Sequence, residues 1–166
     1  MPTLRSYLLF ASLCLPACSG SSGGGGSQTF DATTYTGTWS GTWTNTTFAS
    51  TGAVSVVVAE SGGTYTLQFD MDGNVFGGSN PAAESFTATV SSANATLVSI
   101  TSSVYGTLTG TLAADGTLTG SGTGIPGAVD TFTLTGTWSA TGITANVTIT
   151  FDAGGSANAT ATLTKQ

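Results

Sequence analysis

Eight carboxylates, three tryptophans and two cysteines are the side chains of this 166-residue sequence with chemistry to offer, and it contains no histidine. The carboxylates are Asp31, Glu60, Asp70, Asp72, Glu84, Asp115, Asp130 and Asp152. General acid–base catalysis needs a carboxylate held in an enclosed site that shifts its pKa. Most of these fall at turns or in loops, where an aspartate stays solvated and serves the backbone. Glu84 and Asp130 are a pair that loops could bring together. No nucleophile–base partnership accompanies them, because both cysteines, Cys14 and Cys18, precede the domain. The expectation is a protein that is not an enzyme, with no catalytic residue and no cofactor.

"DMDGN" (Asp70 to Asn74) sets oxygen-bearing side chains at alternate positions, the spacing of calcium loops. It lacks the later bidentate glutamate, and Gly73 comes too early. Asp72-Gly73 between two apolar stretches reads instead as a tight type I′ turn, so no metal site is expected. The tryptophans are more informative. In "TGTWSGTWTN" Trp39 and Trp43 lie four apart, each with glycine two residues before it. On a strand, residues 37, 39, 41 and 43 share one face. Those glycines leave room either for the indoles to lie flat in a packed core or for a guest between them. With Tyr65, Phe69 and Trp138 they form the interior aromatic set: the candidate ligand-binding residues if the interior is hollow, ordinary core if it is filled.

The elements that must position these side chains are strands. "TYTLQFDM" sets Tyr65, Leu67, Phe69 and Met71 against Thr64, Thr66, Gln68 and Asp70; "ITANVTITF" and "DTFTLTGTWSA" alternate in the same way. Period-two alternation is the mark of half-buried strands. Threonine suits their outer face because it is β-branched yet polar. Turn signals recur at Ser61–Gly63, Asp72-Gly73, Ala114–Gly116, Thr141-Gly142 and Ala153–Gly155, with longer breaks at Gly77–Glu84 and Gly122–Ala128. No stretch carries a helical apolar period. The fold class is all-β, an antiparallel up-and-down meander of roughly 8–10 strands. Little lysine or strand proline guards an edge, which favours a closed barrel over the alternative β-sandwich. A membrane-spanning barrel is not expected, because its outer face would need an apolar belt and the face opposite the apolar one here is threonine. Flat Thr-x-Thr arrays such as Thr160-x-Thr162-x-Thr164 also occur on ice-binding surfaces, and that reading requires a flat, open sheet.

The first residues, "MPTLRSYLLFASLCLPACSG", combine Arg5, an apolar run too short to span a bilayer, and small residues. "LPAC" at Leu15–Cys18 resembles the bacterial lipobox. The resemblance implies acylation of Cys18 after removal of residues 1–17, a lipid anchor in the bacterial cell envelope, and periplasmic or surface exposure. Ser19 after that cysteine resembles outer-membrane rather than inner-membrane sorting. An ordinary secretory signal is the alternative. Residues 18–29 then form a Gly/Ser tether with a reach of roughly 15–20 Å, and residues 30–166 the barrel domain. Processing leaves Lys165 as the one cation against eight carboxylates. Such a domain has no footprint for nucleic acid and is repelled by anionic headgroups, so its membrane contact rests on the acyl chains.

"GTWSGTW" near the domain start resembles the Gly-x-Trp first strand of lipocalins and avidins, up-and-down barrels that bind small, mostly apolar ligands. The lipocalin arginine that packs across that tryptophan is absent here, and Lys165 is the one cation to replace it. The resemblance implies an envelope lipoprotein whose barrel takes a small apolar ligand. The alternative is a structural or interaction protein of the envelope with a filled core.

Overall fold

The computed structural model describes residues 28–166. The expected signal segment, Cys18 and the tether up to residue 27 lie outside the described residues. A short 3-10 helix, Ala32–Tyr35, precedes ten strands: β1 (Gly37–Asn45), β2 (Ser50–Ser61), β3 (Thr64–Met71), β4 (Glu84–Val90), β5 (Asn94–Ser102), β6 (Gly106–Ala113), β7 (Thr117–Thr123), β8 (Val129–Trp138), β9 (Gly142–Phe151) and β10 (Ser156–Lys165). Each strand pairs antiparallel with its chain neighbours, and β1 also pairs with β10, from Trp39 opposite Lys165 to Asn45 opposite Ala159. The sheet is therefore a closed up-and-down barrel, and the sandwich alternative is set aside. Every pair of the cylinder lies between Gly37 and Lys165, so the described residues make a self-contained folding unit.

Alternation builds the wall. Val54, Val56 and Val58 of β2 are buried, while Ser55 and Val57 between them are half-buried on the other face. Outside, threonines face one another across strand pairs: Thr137 and Thr144 hydroxyls are 2.9 Å apart, and Thr109 meets Ser121 at 2.8 Å. Each such cross-strand pair contributes a few tenths to about 1 kcal/mol. Closure leaves no flat open sheet, so the surface lacks the geometry that ice binding requires.

The seam between β4 and β5 is the thinnest, with only Thr89–Thr96 and Val90–Ala95 in register. At its other end Glu84 fastens it, accepting hydrogen bonds from the Ser102 hydroxyl, from Ser103 N at 3.1 Å and from the Ser103 hydroxyl at 2.8 Å. Ser102 Oγ in turn accepts from Val104 N (3.0 Å) and Tyr105 N (2.7 Å), which folds the connection that carries Tyr105.

Most turns fall where glycine marks them. Gly62 and Gly63 both have positive φ (60° and 82°) in a two-residue hairpin. Asp72-Gly73 differs from expectation. No strand follows it; residues 72–83 form a long connection instead. Val75 is buried and Phe76 packs against the core rather than pairing in the sheet. Burial of these two side chains replaces the ladder that a hairpin would have formed.

Candidate ligand cavity

The two ends of the barrel are built differently. One end is covered by the 3-10 helix and the connections at 62–63, 91–93, 114–116 and 139–141; the other is ringed by those at 46–49, 72–83, 103–105, 124–128 and 152–155. At the helix end, aromatic rings fill the bore. Phe30 stacks on Tyr35 (centroids 5.3 Å), Tyr35 meets Trp138 edge-on (5.7 Å), and Trp138 meets Trp39 at 5.4 Å and 88°. Asp31 starts the helix, accepting from Thr33 N at 3.0 Å and from the Thr33 hydroxyl at 2.6 Å. These bonds, the hydroxyl first, hold its carboxyl below the ordinary range. Trp39 has no exposed surface and donates from Nε1 to Tyr35 O at 3.0 Å. Lys165 Nζ lies 5.1 Å from the centroid of the Trp39 ring and donates to Thr34 O at 2.9 Å. It crosses Trp39 as the lipocalin resemblance has an arginine do. A void of about 90 Å³ remains here, lined by Tyr65, Leu67, Leu112, Leu118 and Trp138 among others. Trp138 Nε1 is buried with no hydrogen-bond partner among the described residues.

The other end is hollow. A cavity of about 540 Å³ opens there, and its wall includes Trp43, Phe69, Phe76, Tyr105, Phe132 and Ile149. Trp43 is 6 % exposed and donates from Nε1 to Asp72 O at 2.8 Å, which anchors the long 72–83 connection to the wall. Gly52, opposite Trp43 across β1–β2, makes this bond possible: a Cβ there would overlap the Asp72 carbonyl and come within 2.7 Å of Trp43 Nε1. Tyr105 packs edge-on against both Phe69 (5.5 Å) and Phe76 (6.1 Å). Burial, then the carboxylates of Glu84 and Asp70, pushes its phenol far above the ordinary tyrosine range, so it stays protonated. At the rim, Asn45 Oδ1 accepts from Thr47 N (2.9 Å) and Phe48 N (3.0 Å). This turn presents Phe48, 63 % exposed and on the cavity wall, beside Phe151 at 6.0 Å.

The five aromatic residues singled out in the sequence are thus distributed over both ends. Trp43 and Phe69 line the large cavity, Tyr65 and Trp138 the small void, and Trp39 lines neither. Phe48, Phe76 and Tyr105 are wall residues that alternation does not find, because they sit on connections without a period. Phe132 and Ile149 lie on inward strand faces that alternation does find. Their place at the open end becomes clear only once the strand order is known. Among the described residues no group of three or more His, Cys, Asp or Glu could hold a metal ion.

Fold and site together define a class: a ten-stranded closed barrel, filled at one end and open to an apolar cavity at the other. Sequence comparison finds no matching protein family and no matching curated protein. Solved structures do match. Rv2717c from M. tuberculosis is similar over 80 % of this chain and 93 % of its own, at 15 % identity and a TM-score of 0.53. A protein of unknown function of the DUF3598 family from Nostoc punctiforme PCC 73102 is similar over 83 % of this chain, at 10 % identity and a TM-score of 0.59. This chain spans half the length of the latter. At these identities the likeness is one of fold.

Proposed function

We propose that this protein binds a small apolar ligand at the open end of its barrel, as a lipid-anchored component of the bacterial cell envelope. The observation that carries the reading is the cavity. Its volume of about 540 Å³ falls in the range of small-molecule sites, roughly 300–1,000 Å³. Its wall is aromatic and aliphatic, with a few neutral polar groups such as Asn45, Asn74 and Tyr105 to orient a guest. Trp43 and Phe69 are the binding residues of the original aromatic set; Tyr65, Trp138 and Trp39 support the far end. The protein acts as a binder rather than a catalyst, since the carboxylate nearest to the wall by register, Glu84 opposite Phe69, is engaged by Ser102 and Ser103. Anchoring is through Cys18, supported by the "LPAC" resemblance and by the Gly/Ser stretch after it.

Native mass spectrometry of the protein purified gently from its own envelope tests both parts. A reproducible extra mass that leaves on denaturation is expected, together with a diacyl or triacyl mass on Cys18. A bare barrel that takes up nothing from a native lipid extract would sink the ligand. An unmodified N-terminal segment would sink the anchor.

A further inference from the structure

The open end also carries an uneven distribution of charge. Five carboxylates, Asp70, Asp72, Glu84, Asp130 and Asp152, lie on the strand ends and connections of this end. Asp70 lies on the outward face of β3 between the wall residues Phe69 and Met71, Glu84 is in register with Phe69, and Asp152 follows the wall residue Phe151. The single cation among the described residues, Lys165, is at the opposite end, fixed on Thr34 O and over Trp39. The cavity wall itself contains no charged side chain. A ligand with an anionic head therefore finds no counter-ion on the cavity wall and an excess of like charge on the strand ends and connections around it. An unpaired charge taken into an apolar site is strongly disfavoured, and one left at the mouth meets the focused field of those carboxylates.

Resting on the binding reading above, we infer that the open-end cavity selects uncharged apolar molecules and rejects anionic amphiphiles of the same skeleton, fatty-acid carboxylates included. The protonated Tyr105 phenol fits this selection, because an environment that resists a phenolate resists a ligand carboxylate at the same wall. The Glu84–Ser102–Ser103 bonds tie that carboxylate to the 103–105 connection at this end.

The test uses two fluorescent probes with one arylamine skeleton: uncharged N-phenyl-1-naphthylamine and its sulfonate, 1-anilinonaphthalene-8-sulfonate. Both are titrated into the barrel domain, residues 28–166, at low and high salt. The expected result is saturable binding of the neutral probe and at least about tenfold weaker binding of the sulfonate at low salt. Raising ionic strength shortens the Debye length to a few ångströms, so the gap narrows from the sulfonate side alone. The double variant Asp130→Asn, Asp152→Asn replaces two exposed carboxylates outside the wall; it tightens the sulfonate and leaves the neutral probe unchanged. Equal or tighter binding of the sulfonate in the native barrel, with the neutral probe also bound, overturns this selection and leaves the cavity standing. Failure of both probes to bind, with the barrel folded by circular dichroism, overturns the binding reading and the selection with it.

Discussion

Trp39 and Trp43 occupy one face of one strand, four residues apart, each preceded by the same dipeptide, and meet opposite fates. Trp39 is sealed among Tyr35, Trp138 and Lys165, while Trp43 borders about 540 Å³ of open space. Nothing in β1 itself produces the difference. It comes from what covers each end of the barrel. The helix end receives the chain's N-terminal approach, and Phe30, Ala32 and Tyr35 pack down the bore. The open end receives only connections; Val75, Phe76 and Tyr105 from them pack onto the wall and leave the cavity unfilled. The lesson is that the bore of a ten-stranded barrel is not filled by its strands alone; a segment from outside the sheet has to enter it.

The comparison is broken most directly by truncating each tryptophan. Trp39→Ala removes a fully buried indole from close packing and should cost about 3–5 kcal/mol in denaturant unfolding. Trp43→Ala removes an indole that already borders empty space, and should cost clearly less. Equal losses would mean that the two ends are packed alike. Gly52→Ala comes next. Its methyl collides with the Asp72 carbonyl, and about 1–3 kcal/mol of overpacking strain is expected. The Trp43 indole N–H signal should move in the NMR spectrum while that of Trp39 stays in place. Lys165→Met should cost about 0.5–1 kcal/mol through the lost contact with the Trp39 face. An effect of that variant on open-end ligand affinity would contradict the separation of the two ends.

Smaller still are the pH effects, and they sort by group: the lowered carboxyls lie at the helix end, while buried phenols are raised at both ends, Tyr35 and Tyr105. Bonds from Thr33 hold Asp31 below its ordinary 3.8, and bonds from Thr117 hold Asp115 below it. A carboxyl lowered in this way stabilises the fold fully above that ordinary value, and the contribution disappears as pH falls through the lowered pKa. Asp31→Asn and Asp115→Asn should each flatten the acid limb of a stability–pH curve. Tyr105, at the open end, has the reverse sign. A phenol held above its ordinary 10 stabilises the fold below pH 10, and that contribution is lost as pH rises toward the raised value. Tyr105→Phe should flatten the alkaline limb and leave the acid limb as it was.

The barrel was legible in the sequence because its signals are local. Alternation in β3, β8 and β9 sets the inward face, and Gly62-Gly63, Gly116 and Gly154-Gly155 mark hairpins. The turns at 46–49, 91–93 and 103–105 were not legible, since side chains make them without glycine. Asn45, Ser91 and Ser102 each accept backbone N–H groups of the turn that follows. Asp72-Gly73 misled because a turn dipeptide specifies a bend and not what pairs after it. For the site, the face carrying Trp43 and Phe69 could be read, but the split between a filled and a hollow end could not. That split depends on Tyr35, with Phe30 stacked on it, meeting Trp138 in the bore, and on Phe76 and Tyr105 meeting at the other end, and no local pattern encodes these contacts.

The chain has three tryptophans, so its spectrum has three indole N–H signals. The most direct test of the account follows those signals by NMR while N-phenyl-1-naphthylamine is titrated into residues 28–166. The account predicts that the Trp43 signal shifts saturably while those of Trp39 and Trp138 hold still. A shift of Trp39 with Trp43 unmoved, or no shift at any of the three under saturating probe, would contradict it.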